Sequence, residues 1–272
     1  MPELPEVEMY RRYIEETALY QKISAIEVHH PKVLGGQVQD FGELLTGDQF
    51  NGSRRWGKNL FLQTQKNHIV FMHFGMTGTL DYYNTSVETP KYARVVFHFE
   101  NEFNLAYISK RMFGRLGVVS NVAQYVATKS LGNDAMDISV DQFTEALAGK
   151  NKNIKAALLD QSVTAGVGNW IADEILYQAG IFPTTSTKNL SPDQLRVIYD
   201  KMKEIMQTAI KVEAVREDLP PHYITRYGRK TSIDCPKCKR AIEKTVVGGR
   251  GTYACGNCQV VVGACLSGQA GK

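Results

Sequence analysis

The 272-residue chain contains no apolar run near the ~20 residues that a membrane span takes. Its first residues, MPELPEVEMYRR, carry acids where a secretory leader would carry bases and then an apolar stretch, so no such leader is expected. Charge of one sign is scarce too. The 32 Lys+Arg against 28 Asp+Glu leave +4, too little alone to announce a polyanionic partner. Glycine (23) and proline (9) sit at ordinary levels. Collagen, coiled coil, membrane protein and disordered tail are thereby set aside. What remains is a 43% hydrophobic chain, able to bury a real core and better suited to two modest domains than to one oversized domain. It shows neither an internal repeat nor a low-complexity segment.

The modest total hides an uneven distribution. Residues 1–136 hold fourteen bases and fourteen acids, and residues 137–225 hold nine and twelve. Residues 226–272 hold nine bases and two acids, a basic terminal module of +7. On charge alone, this block is either a solvated face or a phosphate-binding one. Four of the five cysteines lie inside it, as Cys235-x2-Cys238 and Cys255-x2-Cys258. Two such knuckles can deliver four thiolates to one tetrahedron, which points to zinc. The alternative, two disulfides, needs an oxidising compartment. Four thiolate ligands leave no position for water, so one structural Zn2+ is expected. Cys265 receives no role. Between the pairs, β-branched residues flank Gly248–Gly251, which reads as a hairpin with a glycine-rich tip holding out Arg250. Nucleic-acid phosphate is the natural contact for an arginine mounted on a metal-clamped ribbon.

Residues 1–19 read as a short arm and then a helix, with Pro5 at its first position and Val7, Tyr10, Ile14 and Ala18 on one face. From about 23 to 120 the pattern is strand-like, as in Leu60 and Leu62, His68–Phe74, and Ala93, Val95, Phe97 and Phe99. After 120 the period changes. Gly132–Asp134 reads as a linker, and Ser139 with Gln142 and Ser191 with Gln194 as capping boxes. Two further helices are expected over 154–159 and 170–179, joined through Gly166–Asn169. The fold class is α+β. A β-sandwich with flanking helices over 1–130 is expected to precede a helical domain over 131–225 and a zinc ribbon with its tail over 226–272.

Pro2 follows the initiator methionine, which is normally removed before so small a residue. The exposed secondary amine, with a pKa near ~8, would be nucleophilic at neutral pH. Attack on a sugar C1′ gives an iminium with no N–H to lose, which acidifies C2′ and favours elimination of the 3′ phosphate. Glu3, beside it, could protonate the ring oxygen, and Glu6 lies three residues on. The competing explanation is that Pro-Glu-Leu-Pro is only a stiff lead-in to a helix.

Five segments occur in order: PELPEVE, Arg54–Lys58, His73–Gly78, Gly166–Glu174 and Gly249–Thr252 within the four-cysteine ribbon. Together they resemble the formamidopyrimidine-DNA glycosylase and endonuclease VIII family, from residue 2 to about 260. The resemblance implies a helix-two-turn-helix architecture for the helical domain. It makes Pro2 the Schiff-base nucleophile, Glu3 the acid acting on the deoxyribose and Glu6 a supporting carboxylate. Lys58 falls near the phosphate and the eliminated group; otherwise it would read as a surface lysine on a strand edge. Arg250 falls on the arginine that grips phosphates and is assigned a proton-donor role in the second, δ, elimination. Asn169 matches the helix-two-turn-helix asparagine and could cap the following helix. Lys150, Lys155 and Tyr92 fall at or near further DNA contacts. Met76, Arg111 and Phe113 take the places of the residues that fill the gap left by an extruded base.

The chain also departs from the family pattern. Met112 stands where a second arginine is usual, and Ser109 and Lys110 replace the usual Asp-Pro. Residues 215–224 lack the Thr-Thr-Leu-Arg-Asp-Phe-like loop that closes over oxidised guanine. The expectation is a bifunctional glycosylase and AP lyase acting on oxidised purines in double-stranded DNA, and on abasic sites. It is expected to be monomeric, cytoplasmic in a bacterial-type cell and without a membrane partner. The alternatives are an endonuclease VIII-like enzyme for oxidised pyrimidines and a non-catalytic zinc-ribbon protein that binds damaged DNA.

Overall fold

Alternating apolar residues between 50 and 119 do produce strands, and the capping boxes do open helices. The computed structural model describes residues 1–35, 38–228 and 233–263, with backbone alone for 38–40. Cys265 and three of the basic module's cations, Arg229, Lys230 and Lys272, lie outside the described residues. The chain divides into two units, Met1–Ser130 and Leu131–Lys272. Among the described residues, no helix is long and apolar enough to cross a membrane.

The first unit runs α1 (Leu4–Thr17), β1 (Ile23–Val28), α2 (Val38–Leu45), β2 (Phe50–Trp56), β3 (Asn59–Thr64), β4 (Ile69–His73), β5 (Gly78–Asn84), β6 (Ala93–Phe99), β7 (Phe103–Ser109), β8 (Arg115–Val119) and α3 (Val122–Thr128). Its strands form two four-stranded antiparallel sheets, β1-β6-β7-β5 and β2-β3-β4-β8. Alternate residues of both, among them Leu60, Leu62, Val70, Met72, Val95, Phe97, Leu105 and Tyr107, enter one buried cluster. A sandwich follows because each strand can hide only every second side chain. Helix α1 buries Leu4, Val7 and Ile14, and the Tyr10 ring lies 4.4 Å from that of Phe74. Leu4 is the first helical residue, so Pro5 sits one place further in than expected.

Two loops of this unit are locked backbone to backbone. Gly75, at φ +57°, follows β4; a Cβ there would lie 2.5 Å from the backbone of Phe113 and Gly114. A Cβ on Gly114 would lie 1.8 Å from the Tyr107 hydroxyl and 2.9 Å from the carbonyl of His73. That hydroxyl is buried and donates to the His73 carbonyl at 2.8 Å.

The second unit contains α4 (Val140–Leu147), α5 (Ile154–Leu159), α6 (Asn169–Ala179) and α7 (Pro192–Lys211), followed by the ribbon β9 (Glu243–Val247) and β10 (Arg250–Ala254). Reciprocal capping boxes at Ser139/Gln142 and Ser191/Gln194 open α4 and α7. Helix α7 buries Ile198, Met202, Ile205 and Ala209 at the expected spacing. Helix α6 ends on Gly180 in the left-handed conformation.

Overpacking of a buried joint is expensive. Gly114→Ala is therefore expected to cost about 2–4 kcal/mol in chemical denaturation. Tyr107→Phe, which removes the nearest clashing atom, should recover part of that loss in a double-mutant cycle.

Candidate functional site

The amino-terminal arm is short because α1 begins at Leu4. Glu3 is its N-cap, and its own N–H donates to Glu6 Oε2 at 3.0 Å within a reciprocal capping box. The pattern that would otherwise be a mere lead-in thus fixes the direction of half-buried Pro2, with Glu3 itself only 2% exposed. Helix α1 is fastened to the sheet by Glu8, which the sequence did not single out. Its carboxylate takes Arg11 at 2.7 Å and Arg55 of β2 at 3.2 Å. Burial would raise the Glu8 carboxyl, but the two guanidiniums hold it below the ordinary carboxylate range.

Lys58 is not a surface lysine on a strand edge. It sits in the two-residue turn between β2 and β3, where Trp56 pairs with Asn59, and is 9% exposed. Gly57 makes this turn possible at φ +57°. Its neighbour in charge is His73, at the end of β4. Burial, and then the positive charges of Lys58, Arg115 and Lys129, push the His73 imidazole down to about 4. A neutral ring can accept a hydrogen bond, and Nδ1 takes the Gly75 N–H at 3.2 Å. His73 therefore shapes the loop that carries Met76.

Met76 and Phe113 are 39% and 54% exposed, unusual for side chains of this kind, and Arg111 lies over the Phe113 ring at 5.2 Å. Met112, at φ +55°, turns the other way and packs against the sandwich core. Its apolar side chain is explained by that burial. Tyr92, at φ +69°, is ringed by Lys91, Arg94 and Lys110 at 5.3, 5.6 and 5.8 Å. Lys110, one of the departures from the family pattern, thus adds a cation here.

In the second unit, β9 and β10 pair Val247 with Arg250 across Gly248–Gly249, both at positive φ. This is the two-residue hairpin the glycines predict. Arg250 is exposed at its tip. Below it, the Sγ atoms of Cys235, Cys238, Cys255 and Cys258 all lie within 4.8 Å of one another. Cys235–Cys258 and Cys238–Cys255 are 3.7 and 3.5 Å apart. A tetrahedral Zn2+ with ~2.3 Å bonds needs sulphurs ~3.8 Å apart, so the set fits the ion. The buried Tyr177 hydroxyl, from α6, lies 3.2 Å from Cys235 Sγ and is placed to donate to a thiolate there.

Lys155 requires a correction. It is not an exposed DNA contact. Its ammonium is fully buried, 2.6 Å from Asp173 Oδ1, and donates to the Gly251 carbonyl at 3.0 Å and to Thr252 Oγ1 at 2.7 Å. The ammonium is thus engaged inside the protein by one carboxylate, one carbonyl and one hydroxyl. Asn169 is also not the helix cap; Gly168 is, and Asn169 Nδ2 donates to the Gly251 carbonyl at 3.0 Å. Lys150 is half-buried just after Gly149, beyond α4. Glu174, with Thr225 N–H and hydroxyl at 2.9 and 2.7 Å and Gln178 at 2.7 Å, is pushed up to about 7 by burial. Residues 215–224 bury Leu219, Tyr223 and Ile224, and Arg226 donates to the Leu219 carbonyl.

Comparison with known proteins gives a consistent picture. Residues 1–116 match the family model for the formamidopyrimidine-DNA glycosylase N-terminal domain, 131–218 that for its H2TH domain, and 234–260 that for a zinc finger found in FPG and IleRS. A formamidopyrimidine-DNA glycosylase of Streptococcus pneumoniae (strain ATCC BAA-255 / R6) is 34% identical over 273 residues, covering 95% of this chain and 99% of that protein. One from Arabidopsis thaliana is 34% identical, covering 93% of this chain and 69% of that protein. Among solved structures, the Lactococcus lactis enzyme bound non-covalently to DNA with an AP site superimposes with a TM-score of 0.87. That pair is 31% identical, and the match covers 94% of this chain and 99% of the other. The same enzyme with Fapy-dG-containing DNA gives 0.87 at 30% identity, with the same coverage.

Two outcomes follow. Zinc assay of the purified chain should give one ion, and chelation should unfold the ribbon completely, because zinc-finger sites typically draw ~10 kcal/mol of folding energy from the metal. Between pH 6.5 and 4, the unfolded chain takes up a proton that folded His73 refuses. Stability from this group is full above 6.5 and falls by about 3 kcal/mol as the pH drops to 4. His73→Gln should flatten that part of a pH series of denaturant midpoints.

Proposed function

This chain belongs to the formamidopyrimidine-DNA glycosylase family and is a base-excision-repair DNA glycosylase with a structural zinc finger; from that premise we propose how its own residues divide the work. With Met1 removed, the Pro2 nitrogen attacks C1′ of the damaged nucleotide and the bond to the base breaks. Glu3 protonates the ring oxygen as the sugar opens, and Glu6 holds the backbone of Glu3 in place. The resulting iminium draws electrons from C2′. Loss of a C2′ proton breaks the C3′–O bond, and loss of a C4′ proton then breaks the C5′–O bond, the electron pair leaving each time with phosphate. Water hydrolyses the remaining iminium and frees Pro2. The observation that carries this reading is the capping box, which gives a proline-led arm of only two residues a fixed exit from α1.

Met76, Arg111 and Phe113 fill the space of the extruded base, a use supported by the exposure of two apolar side chains at loop tips. Lys58 stabilises the departing phosphate. Tyr92 and its three cations, with Lys150, Asn169 and Arg250, meet backbone phosphates, and Arg250 also serves the δ step. Cys235, Cys238, Cys255 and Cys258 hold the zinc. The working division is sandwich 1–130, helix-two-turn-helix 131–225 and ribbon with tail 226–272. The preferred lesions are oxidised purines of the formamidopyrimidine and 8-oxoguanine type, on the strength of the PELPEVE start and the Met/Arg/Phe set. The enzyme acts as a monomer in the cytoplasm.

Borohydride trapping on duplexes carrying one formamidopyrimidine or one oxidised pyrimidine tests the reading directly. The wild-type chain should form a covalent adduct, at least tenfold faster on the purine lesion. Pro2→Gly, lacking the secondary amine, should lose at least ~100-fold, the scale expected for removing a nucleophile. An undiminished adduct in that variant would overturn the role of Pro2.

A further inference from the structure

Arg250 stands at the tip of a ribbon, and a long side chain on a hairpin is only as well aimed as its backbone. Four polar contacts hold the stretch that follows it, from its own carbonyl to Thr252. The Gly251 carbonyl accepts from Lys155 Nζ and Asn169 Nδ2, each at 3.0 Å. The Thr252 hydroxyl accepts from Lys155 at 2.7 Å and donates to the Arg250 carbonyl at 3.0 Å. Asp173 anchors the group twice. Oδ1 lies 2.6 Å from the Lys155 ammonium, and Oδ2 accepts the Tyr253 N–H at 3.3 Å. An unbroken polar chain thus runs from Asp173 through Lys155 and Thr252 to Arg250.

Both side chains of the ion pair are 0% exposed. Such a pair gains little stability over apolar packing of equal volume, since desolvation consumes most of the attraction. What it supplies is direction, because an ammonium held by a carboxylate presents its other N–H groups along fixed lines. Here those lines end on the two residues that follow Arg250.

We propose that Asp173, acting through Lys155 and Thr252, is a positioning residue that sets the reach of Arg250 and so governs how much β-elimination product proceeds to δ-elimination. This rests on the reading that Arg250 serves the δ step. Asp173 touches no reacting atom, so its removal should leave the first half of the reaction intact.

The experiment resolves β and δ products on a denaturing gel with an abasic-site duplex, alongside borohydride trapping and zinc content. Asp173→Asn should keep the zinc and trap within twofold of wild type, yet lower the δ-to-β ratio about tenfold, the scale of a sub-ångström misplacement. Thr252→Val deletes one hydroxyl and leaves the ion pair untouched; its ratio should fall about threefold. An unchanged ratio in the zinc-loaded Thr252→Val chain would overturn the proposal, as would trapping and δ product falling in equal proportion. Arg250→Ala separates the two ideas. If that variant keeps the wild-type ratio, the role given to Arg250 is at fault rather than the anchor.

Discussion

A helix that buries carboxylates has to be met by donors, and that requirement organises the second unit. Helix α6 turns Asn169, Asp173 and Tyr177 along one face at four-residue spacing, with Glu174 beside them. Each is answered. Asn169 and Asp173 engage the strand after Arg250, Tyr177 reaches a zinc-site cysteine, and Glu174 takes the hydroxyl and amide of Thr225. An apolar stripe would have packed the same elements with less demand on register. A polar face permits only the arrangement in which every donor finds its acceptor, and so fixes the ribbon more tightly than hydrophobic contact could.

The first unit solves a different problem with similar means. Its sandwich core needs only alternation, but the arm and the loops must be aimed. Glu8 joins α1 to β2 through Arg55, and the Glu3/Glu6 box sets the exit of the chain. His73 stays neutral because burial and neighbouring cations oppose its protonation, and a neutral ring can serve as an acceptor for the loop amide. Charge is used throughout to orient backbone.

Much of this was legible in the sequence. Capping boxes, cysteine spacing, the glycine turn before Arg250 and the helical period of 195–209 are local signals, and local signals survive in a one-dimensional reading. The strands over 78–84 and 103–109 were not assigned individually, because Asp81, Asn84 and Asn104 interrupt their apolar character and only pairing with a neighbour makes them strands. The burial of Lys155 is hidden for the same reason. Nothing near it in sequence reveals that Asp173, Gly251 and Thr252 surround it, eighteen to ninety-seven positions away. The roles of Glu8, His73 and Tyr107 are hidden in the same way, since Arg55, Lys58 and the His73 carbonyl, which define them, lie in other elements. The exposure of Met76 and Phe113 is foreshadowed in the sequence, since Gly75 precedes the one and Gly114 follows the other at strand ends.

The joint between Gly75 and Gly114 has a consequence for descent. Neither position has room for a methyl group, and each is shaped by atoms of the other's loop or its supports. A substitution at either is therefore expected to survive in a lineage only beside a compensating change, in the facing loop for Gly75 and at Tyr107 for Gly114.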